Sequence, residues 1–159
     1  MCSSDLSYWA GEGKGPCARR ILAGTPDARL LALDADTGAA CADFGTAGAV
    51  DLKQGMGTVV EHEYSLASPP AILGDLAIIG SWVLDRAHVG VPSGVVRAYD
   101  VRTGKLAWYW DAVPPGEPHE VDAAGQPRFR PGTTNVWSII SVDPARNLVF
   151  LPTGNTDSD

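Results

Sequence analysis

The chain contains two near copies of one short motif, and this repeat constrains the fold more than any other feature. The first copy, ALDADTGAACA, occupies residues 32–42, and the second, AYDVRTGKLAW, occupies residues 98–108. In each copy an apolar-rich run leads to Asp, two further residues and Thr-Gly, and a second run follows. A unit that recurs in this way predicts a fold assembled from repeated supersecondary elements.

Each copy predicts a β-hairpin with a defined turn. Asp34 and Asp100 stand where a carboxylate can accept backbone N–H groups two residues further on. Gly38 and Gly104 follow at the position where a hairpin loop with a bulge needs a positive φ angle. The two motifs therefore predict two similar hairpins.

Other runs of apolar and β-branched residues also predict strands, and no stretch shows helical periodicity. The run LAIIGSW is apolar enough for a strand that is buried on both faces. The 18 glycines and 12 prolines indicate many turns between short elements. The chain is predicted to be all-β, with further strands at residues 20–23, 76–83, 137–142 and 148–152.

Several short strands per repeat unit favour a β-propeller built from four-stranded blades. A two-sheet sandwich with a chance duplication of the motif is the alternative. The 159 residues provide material for about two to three blades, whereas a propeller has roughly four to eight. We therefore expect a piece of a larger propeller over residues 17–159, and a non-native or disordered leader over residues 1–16.

Charge and cysteine content limit the partners and the compartment. The net charge of −7 disfavours nucleic acid as a partner, and no apolar run approaches the roughly 20 residues that span a bilayer. Once Cys2 is set aside with the leader, Cys17 and Cys41 remain. They form either a disulfide, which implies an oxidising compartment, or two buried free thiols.

The repeat resembles the tryptophan-docking motif of the pyrroloquinoline quinone (PQQ) dehydrogenases, Ala-x-Asp-x-x-Thr-Gly-x-x-x-Trp. The second copy matches every fixed position through Trp108, whereas the first has Ala42 in place of the tryptophan. The segments SPPAIL, GVPSGVVRAYDVRTGKLAW and TTNVWSIISVDPARNLVFLPTGN are similar to the membrane-bound glucose and quinate dehydrogenase branch of that family. The resemblance extends over roughly residues 17–159.

The resemblance implies a fragment of an eight-bladed propeller on the periplasmic side of the bacterial inner membrane. Such enzymes oxidise a sugar or polyol with PQQ and calcium or magnesium, and pass electrons to ubiquinone. Contact with the membrane is then expected only through an N-terminal segment that this chain does not include. We expect the chain by itself to show little or no turnover.

The resemblance also assigns three residues to the cofactor. Trp137 matches the indole that forms the floor beneath PQQ, and a flat aromatic ring suits a planar quinone. Asn135 is expected to offer a side-chain hydrogen bond, and Ser68 a hydroxyl contact. Trp137 as a core strand residue, Asn135 as a loop cap and Ser68 as a lead-in to a strand are the structural alternatives.

Two further residues are expected to hold the metal. Asp85 and Asn155 match positions that offer a carboxylate and an amide oxygen, which are ligands that calcium prefers. The glucose branch usually has Asp-Asn where this chain has Asp85-Arg86, so a solvated loop is the alternative there. Asn155 could instead serve a turn. The catalytic base of the family, an aspartate, is expected beyond residue 159, so no catalytic residue is assigned.

A second function remains open at this level. Non-catalytic propellers carry similar docking repeats, and the chain could be part of a scaffold that resembles the lipoprotein of outer-membrane protein assembly. Such a scaffold has no reason to keep Trp137, Asn155 and Asp85 together.

Overall fold

A computed structural model describes residues 6–84, 90–111, 120–123 and 125–154, and every regular element in these ranges is a β-strand. Among these residues no helix has the length and apolar character needed to cross a membrane. The strands are β1 (Leu6–Ala10), β2 (Arg19–Gly24), β3 (Arg29–Asp34), β4 (Ala49–Asp51), β5 (Tyr64–Ser65), β6 (Ala71–Leu73), β7 (Leu76–Ile79), β8 (Trp82–Val83), β9 (Val96–Asp100), β10 (Leu106–Trp110), β11 (Glu120–Val121), β12 (Pro127–Arg128), β13 (Ser141–Asp143) and β14 (Leu148–Phe150).

Two four-stranded antiparallel sheets account for most of the strands. The sheet β1-β2-β3-β4, called blade 1 here, runs in chain order. The sheet β6-β7-β9-β10, called blade 2, also runs in chain order, with only β8 leaving it to pair with β5. A meander of consecutive strands is the form of a propeller blade rather than of a sandwich layer. The hairpin of β13 and β14 follows blade 2 and repeats the first two strands of a blade.

The turns of the two motifs have the same predicted geometry. In blade 2 the Asp100 Oδ1 accepts hydrogen bonds from the Arg102 N–H at 3.0 Å, the Thr103 N–H at 2.7 Å and the Thr103 hydroxyl at 2.8 Å. Gly104 has φ 69° and donates its N–H to the Asp100 carbonyl. The carboxylate of Asp34 accepts the equivalent three hydrogen bonds in blade 1. The hairpin prediction is therefore confirmed in both copies.

Blade 2 presents its motif turn to blade 1. The buried Arg20 of β2 donates from Nη1 to the Arg102 carbonyl at 2.9 Å, and its Nη2 pairs with Asp43 at 2.6 Å. The Gly45 N–H donates to the Thr103 carbonyl at 2.9 Å. Beneath these contacts a continuous apolar core joins the two blades, and its fully buried members include Leu22, Leu30, Phe44, Leu52, Ala77, Ile79 and Val83.

The second copy of the motif ends on a docked tryptophan. Trp108 pairs with Ala98 across β9 and β10, next to a bulge in the register. Its ring packs against a second core cluster that includes Val136 and Ile140, in the segment that leads into β13. An indole buries a large area with few rotors, so it fastens blade 2 to the next unit at low entropic cost.

The first copy replaces that tryptophan with a covalent link. Cys41 and Cys17 form a disulfide, and the Cys41 N–H donates to the Ala32 carbonyl at 2.9 Å. Residue 42, where the motif has tryptophan, is Ala42. The disulfide thus cross-links blade 1 one residue before the position of the missing indole. Of the two alternatives that the sequence left open, the structure has the disulfide and not two free thiols.

The prediction of a leader over residues 1–16 is wrong where the structure describes those residues. Residues 6–10 form β1 and pair along their whole length with β2. Trp9 is buried, its Nε1 donates to Asp75 of blade 2 at 3.2 Å, and the Arg102 guanidinium lies 4.6 Å from its ring centroid. The exposed side of β1 carries Leu6, Tyr8 and Ala10, so the stretch lacks the alternation of buried apolar and exposed polar residues, and this hid the strand in the sequence.

Three predicted strands are shorter than expected, and the one predicted over residues 148–152 ends with β14 at Phe150. Residues 76–83 divide into β7 and β8 at Gly80, where the backbone of another loop lies in contact. In the predicted strand 137–142, only Ser141 and Val142 are in β13. Trp137 therefore lies in a loop and not in a core strand.

The disulfide is expected to stabilise the fold measurably. Changing both Cys17 and Cys41 to Ala should lower the free energy of unfolding by about 3 kcal/mol, because the unfolded chain then regains the entropy of an open loop. Urea unfolding followed by circular dichroism measures the loss. Cys2→Ala is the matched control and should leave the midpoint unchanged. Equal midpoints for the double variant and the wild type would contradict the expectation.

Stability should also depend on pH through Asp34. The N–H groups of Cys17 and Thr37, which donate to its carboxylate, lower the pKa of Asp34 from 3.8 to about 2. Because the pKa of Asp34 is lower in the folded than in the unfolded chain, its ionised carboxylate stabilises the fold at pH values above the unfolded pKa. This stabilisation is lost as the pH falls from about 4 to about 2. Asp34→Asn should reduce the dependence of the free energy of unfolding on pH between about pH 2 and 4. An unchanged slope in thermal unfolding between these pH values would count against it.

Candidate cofactor site

The topology of the blades places two of the predicted site residues, Ser68 and Trp137, at one end of the sheets. The two motif turns join the last two strands of a blade, so they lie at one end. The connections that precede β6, follow β7 and precede β13 lie at the opposite end, because neighbouring strands are antiparallel. Ser68 and Trp137 belong to these connections. The positions come together although they are far apart in sequence.

Ser68 and Trp137 are in direct contact. The Ser68 hydroxyl donates a hydrogen bond to the Trp137 backbone carbonyl, with an oxygen–oxygen distance of 2.7 Å. Two residues that the sequence analysis assigned to one cofactor thus lie side by side. The structure shows this hydroxyl bonded to the protein backbone.

The indole ring of Trp137 is exposed to solvent, whereas the residues just before it are buried. Its side chain is 55% exposed, whereas Thr134, Asn135 and Val136 immediately before it are all buried. A large indole that stays half exposed beside a buried segment offers a flat apolar surface. This is the arrangement that a stacking platform for a planar ligand requires.

Two glycines of blade 2 allow the segment 133–137 to lie against the blade. A Cβ atom added at Gly80 would stand 2.0 Å from the Val136 carbonyl oxygen, and one added at Gly94 would stand 1.9 Å from the Thr134 carbonyl oxygen. No side chain fits in either space. The sequence analysis missed both glycines, because a glycine needed for close backbone approach has no local signature.

Asn135 supplies a polar group to the same place. Its Oδ1 is buried and has no hydrogen-bond partner in the structure. The Asn135 backbone carbonyl accepts a hydrogen bond from the Gly154 N–H at 2.9 Å. A Cβ atom at Gly154 would lie 3.5 Å from the Trp137 Nε1 and 3.8 Å from the Asn135 Oδ1. The chain just before Asn155 therefore reaches the edge of the indole.

The two predicted metal ligands, Asp85 and Asn155, lie outside the described residues. Within the described part of the chain, the one grouping of potential ligands is Cys17, Cys41 and Asp43. Both of those cysteines are in the disulfide and offer no thiolate, so this group is not a metal centre.

The residues that are described fit a planar, polar cofactor such as PQQ. An unpaired buried polar atom costs roughly 1–3 kcal/mol, and three of them occur in and beside this segment: Ser81 Oγ, Thr134 Oγ1 and Asn135 Oδ1. They accompany an open indole surface and a close approach by Gly154. Unsatisfied hydrogen-bonding groups beside an aromatic platform are what a bound polar ring would satisfy.

A buried cation lies elsewhere, between the blades. The Nη2 of Arg97 donates to the Leu52 carbonyl at 2.8 Å and to the Tyr64 hydroxyl at 2.7 Å. The rings of Tyr64, Tyr99 and Phe129 surround the guanidinium, with centroids 5.5 to 5.9 Å from it. Burial raises the pKa of Tyr99 to about 12, so that phenol stays neutral. Arg97 thereby joins the strand β9 to blade 1.

A cavity of about 680 Å³ lies beside Arg97 and is also lined by Lys105, Gln126 and Pro127. None of the described site residues lines it. The tract 112–132 includes part of this lining. Its described residues form the short hairpin of β11 and β12, and Phe129 donates its N–H to the Gly55 carbonyl at 2.8 Å.

Comparison with a known protein family agrees with the propeller blades described above. The family described as PQQ glucose/ethanol/alcohol dehydrogenase, β-propeller domain, matches residues 2–159. The chain belongs to this family. The predicted family and the predicted propeller fold are thereby confirmed.

Curated relatives carry the names of glycerol, quinate and glucose dehydrogenases. The glycerol dehydrogenase large subunit of Gluconobacter oxydans (strain 621H) is 41% identical over 144 residues, which cover 91% of this chain and 19% of that protein. The quinate/shikimate dehydrogenase (quinone) of Acinetobacter baylyi is 42% identical over 144 residues, 90% of this chain and 18% of that protein. The quinoprotein glucose dehydrogenase of G. oxydans is 38% identical over 139 residues, which cover 87% of this chain and 17% of that protein. The chain spans less than one fifth of the length of these relatives.

Solved structures agree on the fold. The quinohemoprotein alcohol dehydrogenase of Comamonas testosteroni matches with a TM-score of 0.61 and 21% identity over 92% of this chain and 22% of that one. The quinohemoprotein alcohol dehydrogenase of Pseudomonas putida matches with a TM-score of 0.57 and 26% identity, over 86% of this chain and 20% of that one.

The close packing of segment 133–137 gives a direct test of the site. Gly94→Ala should lower the free energy of unfolding by about 1–3 kcal/mol, because the added methyl group displaces the Thr134 carbonyl. Near-ultraviolet circular dichroism should report the accompanying shift of Trp137. Gly132→Ala is the matched control, since a Cβ there meets nothing within 4 Å. Equal effects of the two substitutions on stability would refute the packing argument.

Proposed function

We propose that this chain forms the cofactor-bearing blades of a PQQ-dependent dehydrogenase that oxidises a sugar or polyol of the glucose or quinate type. The observation that carries the proposal is the half-exposed indole of Trp137 beside the unpaired Oδ1 of Asn135. Relatives named as glycerol, quinate and glucose dehydrogenases support the reaction class.

The described residues have separate tasks in this proposal. Trp137 stacks on one face of the cofactor ring and excludes water from that face. The Asn135 amide hydrogen-bonds to the edge of the cofactor and fixes its rotation in the plane. The Gly154 N–H, which donates to the Asn135 carbonyl, holds the chain before Asn155 beside this edge.

When bound, PQQ supplies the two-electron acceptor for oxidation of the substrate C–OH group. Asp85 and Asn155 would offer a carboxylate and an amide oxygen to calcium or magnesium, a donor set that suits a hard cation. The aspartate that removes the hydroxyl proton is proposed to lie in the part of the protein beyond residue 159. Ubiquinone is the proposed final acceptor of the electrons.

The disulfide supports the proposed location on the periplasmic side of the inner membrane. Disulfides persist in oxidising compartments such as the bacterial periplasm and are rare in the cytosol. Cys17–Cys41 joins two segments of blade 1, so the native blade depends on such an environment.

A non-catalytic scaffold is the weaker candidate. It shares the docking repeat but gives no reason for an open indole beside an unpaired buried amide. The relatives described above are all named as dehydrogenases, which favours the enzymatic function.

The proposal predicts cofactor binding that depends on Trp137. The full-length protein that contains this chain should bind PQQ in the presence of calcium or magnesium, and Trp137→Ala should weaken binding about tenfold or more, because the stacking surface is lost. Fluorescence quenching by PQQ measures the affinity. Trp110→Ala, on the partly exposed outer strand β10, is the control and should retain the wild-type affinity. Absence of PQQ binding with either cation present would remove the proposal.

A further inference from the structure

We propose that Ser68 is a positioning residue for the indole of Trp137 and not a direct contact of the cofactor. The inference rests on the proposed function, in which Trp137 is the stacking platform. It differs from the expectation drawn from the family resemblance, which assigned the Ser68 hydroxyl to the cofactor itself.

The Ser68 hydroxyl can donate only one hydrogen bond. A serine hydroxyl has a single proton to donate. That proton is committed to the Trp137 carbonyl, at an oxygen–oxygen distance of 2.7 Å. Only lone pairs remain on Ser68 Oγ, and these do not bind the quinone and carboxylate oxygens of PQQ, which are acceptors as well. A direct hydrogen bond from Ser68 to one of these oxygens would require the bond to Trp137 to break.

Ser68 is itself held by anchored neighbours, so its hydrogen bond can fix a position. Leu66 is buried, and its side chain fills the space next to Gly24 of β2. On the other side, the Ser7 hydroxyl of β1 donates to the Pro70 carbonyl. The segment 66–70 is therefore fastened to blade 1 on both flanks of Ser68.

Trp137 depends on such a tether because its own ring is held weakly. More than half of its side chain is exposed, and Ile139 two residues later is exposed as well. The preceding backbone is held by the Gly154 N–H, which donates to the Asn135 carbonyl. The bond from Ser68 holds a second point of this segment, the carbonyl of Trp137 itself. The indole is thus positioned between blade 1 and the strand end that leads to Asn155.

A double-mutant cycle on the full-length protein tests this inference. Ser68→Ala should weaken PQQ affinity about three- to tenfold in the presence of calcium, since one hydrogen bond is lost. Ser68→Thr keeps the hydroxyl and should restore most of the affinity. In a Trp137→Ala background, Ser68→Ala should have no further effect, because the group that Ser68 positions is gone.

A second measurement uses the protein without cofactor. Ser68→Ala should change the near-ultraviolet circular dichroism of the apo protein, and the change should vanish in a Trp137→Phe background. A purely structural role would instead lower the unfolding midpoint and leave the tryptophan signal alone. Urea unfolding of each variant confirms that it is folded before binding is measured.

The outcomes separate this inference from the proposed function. If Ser68→Ala weakens binding equally with and without Trp137, Ser68 contacts the cofactor directly and the inference is overturned. If Trp137→Ala weakens binding but Ser68→Ala changes neither binding nor the apo spectrum, the inference alone fails. If Trp137→Ala leaves PQQ binding unchanged, the proposed platform itself is wrong and the inference falls with it.

Discussion

A single carboxylate closes each described blade, and the rest of the structure depends on it. The Oδ1 atoms of Asp34 and Asp100 each accept hydrogen bonds from two backbone N–H groups and a threonine hydroxyl. The closed turn of blade 2 then exposes the carbonyls of Arg102 and Thr103, to which blade 1 donates. Because the turns fix how the blades meet, they also fix the loops at the opposite end, where the candidate site lies.

The candidate site departs from ordinary packing in a consistent way. The segment 133–137 lies against two glycines, carries buried polar atoms without partners and leaves its largest aromatic ring half exposed. Each of these features costs stability in a protein that binds nothing there. Local violations of this kind are expected at functional sites, where a ligand compensates for them. The same residues that weaken the fold locally are therefore those that fit a planar polar ring.

The sequence predicted what is encoded locally and missed what depends on distant contacts. The two hairpins were recognisable because Asp, Thr and Gly act on their own neighbours within the turn. The strand at residues 6–10 was missed because its burial depends on Asp75 and Arg102 in the next blade. The break at Gly80 follows from a carbonyl more than fifty residues away in the chain, and no local pattern reports it. Trp137 and Asn135 were found only through the family resemblance, whereas the bond from Ser68 to Trp137 required coordinates.

The cross-link between Cys17 and Cys41 makes the first blade conditional on where the chain is produced. Its partner blade is fastened by an indole, which needs no chemistry beyond folding, but the first copy of the motif has alanine at that position. Protein made in a reducing bacterial cytosol would have neither the disulfide nor a docked tryptophan in blade 1. Oxidation of these two thiols, in an oxidising compartment or after purification, is then a step in making the cross-linked blade.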